Sequence, residues 1–142
     1  KCYVAVVFDV EVDTASGQIH LTNTAIAGDA GQIINPDGLA NQLEGGVLQA
    51  ASWTLKEQVH YGPDGVASRD WDTYPVLRFA EIPTVSVKLL DQPGTPSLGS
   101  GEATQGPTPA AIANAVFDAV GVRLREMPFT PERVKTALAQ PQ

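Results

Sequence analysis

The sequence predicts an α+β fold: a hairpin and further strands packed with two longer helices. Three observations lead there. Residues 3–27 hold two strand-like runs separated by a short polar turn. Residues 38–57 repeat apolar side chains at the helical period. A glycine- and proline-rich loop around residue 100 then feeds a second run of the same period.

Tyr3 to Val12 is rich in Val and reads as a buried strand. Asp13 to Gly17 supplies the turn and Ile19 to Ala27 the partner strand; Asp29-Ala30-Gly31 then breaks the pattern. Asn35-Pro36-Asp37 signals helix entry, with Asp37 placed to cap a helix from about Gly38 to Glu57. Leu39, Leu43, Val47, Leu48 and Ala51 form its apolar face, and Gln42, Gly45, Gly46, Gln49 and Trp53 share another. Two adjacent glycines inside a helix cost on the order of 1 kcal/mol each relative to Ala. Their backbone is therefore expected to meet a close neighbour.

Tyr61 to Gly65 is a turn cluster, and Trp71 and Tyr74 are expected to pack as ordinary aromatic residues. Thr84 to Asp91 alternates Val85, Val87 and Leu89 and reads as a strand; Gln92 to Leu98 is a Pro/Gly loop. Thr108 is expected as N-cap, with Pro109 at the first helical position, of a helix spanning Ala110 to Arg123 and closed at Gly121. Its buried face carries Ile112, Val116, Phe117 and Val120. Thr130-Pro131-Glu132 caps a short last helix ending near Gln140.

At 142 residues the chain is one domain in size. Nine basic and sixteen acidic residues give a net charge of −7, with no basic patch, which argues against nucleic acid. No apolar run approaches a membrane span. Cys2 is the sole cysteine, so no internal disulfide forms, and His20 and His60 are the only histidines, too few for a usual zinc site. No metal-ligating side chains are therefore assigned. The opening Lys1-Cys2-Tyr3 runs straight into a strand, without a starting Met or signal peptide, and suits a piece of something longer.

The stretch that carries chemistry is Gly99-Ser100-Gly101-Glu102. Gly99 and Gly101 just before the carboxylate permit unusual backbone conformations and close approach by another group. By itself such a carboxylate is an ordinary solvated surface group. Its presentation from a loop on a rigid scaffold makes it a candidate catalytic base.

This stretch and the run after it, P-T-P-A-A-I-A-N-A-V-F-D-A-V-G-V-R-L-R-E-M-P, resemble the C-terminal signature of the molybdenum hydroxylases, the xanthine dehydrogenase and aldehyde oxidase superfamily. Gly31-Gln32-Ile33-Ile34-Asn35-Pro36 is similar to the family's G-x-x-x-N-P, and Gln42-Leu43-Glu44-Gly45-Gly46 to its Q-x-E-G-[AG]. The resemblance spans about Tyr3 to Val134, with the motifs in order, and is nearest to the isoquinoline 1-oxidoreductase beta-subunit type. Two departures are visible: Ala103 stands where Pro often follows the glutamate, and Asp70-Trp71 stand where the family's N-F-x-x-Y has Asn-Phe.

The resemblance implies that residues 1–142 form a single domain, the C-terminal part of a larger molybdopterin-binding subunit. It implies a molybdenum–pterin cofactor in the full-length enzyme and none bound to the fragment alone, which should fold but be inactive. It implies water-dependent hydroxylation of an N-heterocycle or aldehyde, with Glu102 as the catalytic base and Gln42 contacting the cofactor. Ser100 and Gly101 are placed to offer backbone N–H groups to the same cofactor. The partners implied are the upstream part of the subunit, a separate 2Fe-2S subunit and a small-molecule substrate. Two other classes stand beside this reading: a non-catalytic interaction module retaining the fold, and a glycosidase pairing Glu102 with Glu44 or Asp29.

Overall fold

The computed structural model describes residues 2–140; Lys1, Pro141 and Gln142 lie outside the described residues. Strand β1 (Tyr3–Val12) pairs antiparallel with β2 (Ile19–Asp29), from Tyr3 opposite Asp29 to Val12 opposite Ile19, with a bulge at Asp9/Val10. Asp13 organises the turn between them: its Oδ1 accepts the Ala15 N–H at 2.9 Å and its carbonyl accepts the Gly17 N–H at 2.7 Å. Gly17 sits at φ +82°, a conformation that suits glycine. The Ser16 hydroxyl and the turn's N–H groups hold the Asp13 carboxyl below the usual carboxylate range.

Helix α1 (Pro36–Leu55) follows, then a small hairpin of β3 (Tyr61–Gly62) and β4 (Gly65–Val66), and β5 (Thr84–Leu89). β5 lies parallel to β2, with Asn23 opposite Thr84 and Gly28 opposite Leu89, giving a sheet ordered β1-β2-β5. Helices α2 (Pro107–Val120) and α3 (Pro131–Ala139) complete the chain. α2 packs on β1 while α1 packs on β2, β5 and α2. One layer of helices thus covers one sheet face. Leu43, Val47 and Ala51 of α1 meet Ile112 and Val116 of α2 over Phe8 and Ile26 of the sheet. The α+β class and the element order are as the sequence predicts.

Several local expectations need correction. α1 is capped by Asn35 rather than Asp37: Asn35 Oδ1 accepts the Gly38 N–H at 2.9 Å and Pro36 takes the first helical position. Proline at that position needs no N–H partner and fixes φ for entry, so the start moves back. Likewise α2 begins at Pro107, and Thr108 is a buried residue within it, not its cap. The Thr108 hydroxyl donates to the Thr104 carbonyl at 2.7 Å. α2 ends at Val120 because Gly121 turns left-handed, at φ +74°. Only one face of β1 is buried: Val4, Val6, Phe8, Val10 and Val12 face the helices, and Tyr3 and Val7 are exposed. Trp71 is not packed into the core, being 77% exposed, and Phe117 is partly exposed with the Arg123 guanidinium over its ring.

Removing the helix cap should have a measurable cost. Asn35→Ala is expected to lower stability by about 1 kcal/mol, read as a lower urea midpoint with an unchanged slope; an unaltered midpoint would show that Pro36 alone sets the helix start.

Candidate cofactor site

Two loops and the start of α1 enclose a cleft of about 410 Å³. The first loop follows β2. There Asp29 Oδ1 accepts the Gly31 N–H at 2.9 Å, and Gly31 adopts φ +71°. A Cβ on Gly31 would collide with the Pro96 carbonyl of the second loop, so glycine is required twice over. The loops are stitched together by the Leu98 N–H to the Ala30 carbonyl at 2.8 Å, the Ile33 N–H to Asp91 Oδ1 at 2.9 Å and the Ser97 hydroxyl to the Gln32 carbonyl at 2.6 Å.

The cleft's lining includes Gln42, Ser100 and Gly101, three positions the sequence nominates separately. Their meeting is direct: Gln42 Nε2 donates to the Gly101 carbonyl at 2.6 Å. That bond turns the amide nitrogen toward the loop. The Gln42 carbonyl oxygen and its second amide N–H remain free to meet a ligand, beside Ser100 in the lining. Gln32 and Asn35 add further neutral amides at the edge, and Ala30, Ile33, Leu39 and Leu98 supply an apolar floor. No Lys or Arg lines it. Neutral donors and acceptors on an apolar floor suit the edge of an uncharged heterocycle, so this residue set fits a pterin.

Glu102 is not part of the lining; it stands beside it, exposed, next to Gly101. The flanking glycines do not behave as predicted. Neither Gly99 nor Gly101 has a positive φ, and a Cβ on either would meet nothing within 4 Å. Their lack of a side chain leaves open space beside the carboxylate rather than relieving backbone strain.

The two helical glycines differ sharply. Gly45 is open, whereas a Cβ on Gly46 would collide with Thr104 Oγ1. The Thr104 hydroxyl, 1% exposed, donates to the Leu43 carbonyl at 2.9 Å. One turn on, Gln105 Nε2 donates to Gln49 Oε1 at 2.7 Å. Residues 42, 46 and 49 lie on one helix face, and the Glu102 loop is fastened along it. Sequence reading missed Thr104; the available signal was the demand of the glycine pair for a close neighbour. Asp29, a possible second acid, accepts from both Gly31 and Gln92 and serves the loop. Among the described residues no group of three His, Cys, Asp or Glu could hold a metal ion, and no helix is long and apolar enough to cross a membrane.

A sequence profile for the molybdopterin cofactor-binding domain matches residues 1–83. This chain belongs to that family. It is 46% identical over 136 residues to a nicotinate dehydrogenase subunit of Pseudomonas putida, a match covering 96% of this chain and 12% of that one. It is 30% identical to the isoquinoline 1-oxidoreductase beta chain of Brevundimonas diminuta, covering 99% of this chain and 17% of that one. The crystal structure of aldehyde oxidoreductase from Desulfovibrio gigas superposes with a TM-score of 0.87 at 26% identity, covering 98% of this chain and 16% of that one. The molybdenum hydroxylase superfamily named by the motifs is therefore the right one. The chain spans only about an eighth to a sixth of these family members.

Proposed function

We propose that residues 1–142 form a single domain that is the C-terminal part of the molybdopterin-binding subunit of a molybdenum hydroxylase. The observation that carries this is the Gln42–Gly101 bond, which brings two separate family motifs to one cleft with Glu102 at its lip. Gln42, Ser100 and Gly101 hold an edge of the molybdenum–pterin cofactor, and Glu102 is the base. The overall change is R–H + H₂O → R–OH + 2 H⁺ + 2 e⁻. When bound, the molybdenum–pterin group supplies the two-electron oxidation. Glu102 Oε accepts a proton from the water-derived oxygen as it attacks an electron-poor carbon of the substrate. An N-heterocycle is the preferred substrate class, as the names of the nicotinate and isoquinoline enzymes suggest; an aldehyde is the second. The electrons pass to a separate 2Fe-2S subunit.

The surface supports a covered role. The chain exposes 8537 Å², against about 7,000 Å² for a compact monomer of its mass. Trp71, Phe79, Tyr61 and Ile34 are each more than three-quarters exposed. We assign these exposed side chains to contact with the upstream part of the subunit.

The test is the full-length subunit, produced with its iron–sulfur partner and assayed on nicotinate, isoquinoline and benzaldehyde. Stoichiometric molybdenum and pterin with turnover of at least one probe are expected. Gln42→Leu should lower the pterin content at least several-fold. An enzyme that turns over without molybdenum, or a Gln42→Leu protein with full pterin content, would contradict the assignment.

A further inference from the structure

We infer that Thr104 is a positioning residue for Glu102, an inference that rests on the function proposed above. Glu102 follows the exposed Gly101 and makes no side-chain hydrogen bond among those described, so its place must be set by the backbone around it. Within residues 99–106, Thr104 is the one buried position. Its hydroxyl reaches the Leu43 carbonyl of α1, and its own carbonyl accepts from both the N–H and the hydroxyl of Thr108 in α2, at 3.3 and 2.7 Å. Thr104 is thus pinned to both helices at once, two residues from the carboxylate. Gly46 exists to admit it: any larger residue there would push the Thr104 side chain out. The other two fastenings, Gln42 to Gly101 and Gln105 to Gln49, are exposed to solvent and correspondingly weaker.

A base must be held close to the proton it takes, and a displacement of about 1 Å can cost about 100-fold in rate. In the full-length enzyme Thr104→Val keeps the shape and removes the bond. Its kcat is expected to fall about 10- to 100-fold, with KM and molybdenum content within about two-fold of wild type. Hydrogen exchange in the 99–106 segment should quicken while α1 stays protected. Thr104→Ser, which keeps the hydroxyl, should stay within about three-fold of wild type. Added to Glu102→Gln, Thr104→Val should slow the residual rate less than about two-fold, because its effect runs through a base already removed. Thr104→Ala carries the same comparisons if Val prevents folding.

A hydroxyl-free variant within about two-fold of wild-type kcat would overturn the inference. So would an equal loss in the Glu102→Gln background, or a loss of activity matched by loss of molybdenum. A Glu102→Gln enzyme with wild-type turnover would instead overturn the proposed function; a slow Glu102→Gln beside a fast Thr104→Val would overturn only the role of Thr104.

Discussion

Glu102→Gln in the full-length, cofactor-loaded enzyme is expected to lower the turnover number by about 10²- to 10⁴-fold. Gln keeps the shape and hydrogen-bonding capacity of the side chain and removes the base. Folding should be little changed, because the residue is exposed and its side chain makes no hydrogen bond among those described. Molybdenum content should remain near wild type, since Glu102 lies outside the cleft lining that includes Gln42, Ser100 and Gly101. The acid limb of the pH–rate profile, where an essential base is lost by protonation, should disappear from the residual rate. Turnover within a few-fold of wild type in a fully loaded variant would make Glu102 a surface carboxylate and return the chemistry to some other group.

The second large effect is at Gly46. Replacement by Leu is expected to destabilise the 142-residue chain by about 1 to 3 kcal/mol. Leu is the better helix former by roughly 1 kcal/mol, so propensity alone predicts the opposite sign. Packing prevails because the atom in the way belongs to a short buried side chain bonded to the Leu43 carbonyl, and moving it breaks that bond. Gly45→Ala supplies the contrast. Nothing lies within 4 Å of its Cβ position, so propensity should act unopposed and stabilise the chain by up to about 1 kcal/mol. Urea midpoints of the two variants moving in the same direction would refute this account of the pair. In the full-length enzyme Gly46→Leu should also slow turnover, since it displaces the loop that carries Glu102.

Much of this protein was legible in its sequence. The Val-rich run of residues 3–12 with the turn after it, and the helical period in residues 38–57, pointed to the hairpin and α1, because burying one face demands a period that matches the element. The motif order placed the chain in its superfamily, and Gln42, Ser100, Gly101 and Glu102 were nominated from it. Helix starts were misread at both longer helices: Asn35 caps α1 in place of Asp37, and α2 enters through Gly106-Pro107 with no side-chain cap in place of Thr108. In each case the helix starts at a proline, Pro36 or Pro107, and the residue before it is the cap. Trp71 and Phe117 were misread because an apolar residue's tendency to be buried is local, whereas the space to bury it is not.

What only the tertiary structure decided lies between elements. The parallel pairing of β2 with β5 has no sequence signature, since residues 23 and 84 become neighbours only after α1 has folded across. Nor could the chain order show that Gly46 faces a hydroxyl and Gly45 faces open space: consecutive residues on a helix point about 100° apart, and what each meets is set by a loop nearly sixty residues away. The sequence by itself nominated the residues to which the proposed chemistry is assigned. Packing alone determined that Gln42 turns its amide nitrogen to Gly101, that Thr104 is locked between two helices, and hence where the carboxylate of Glu102 is held.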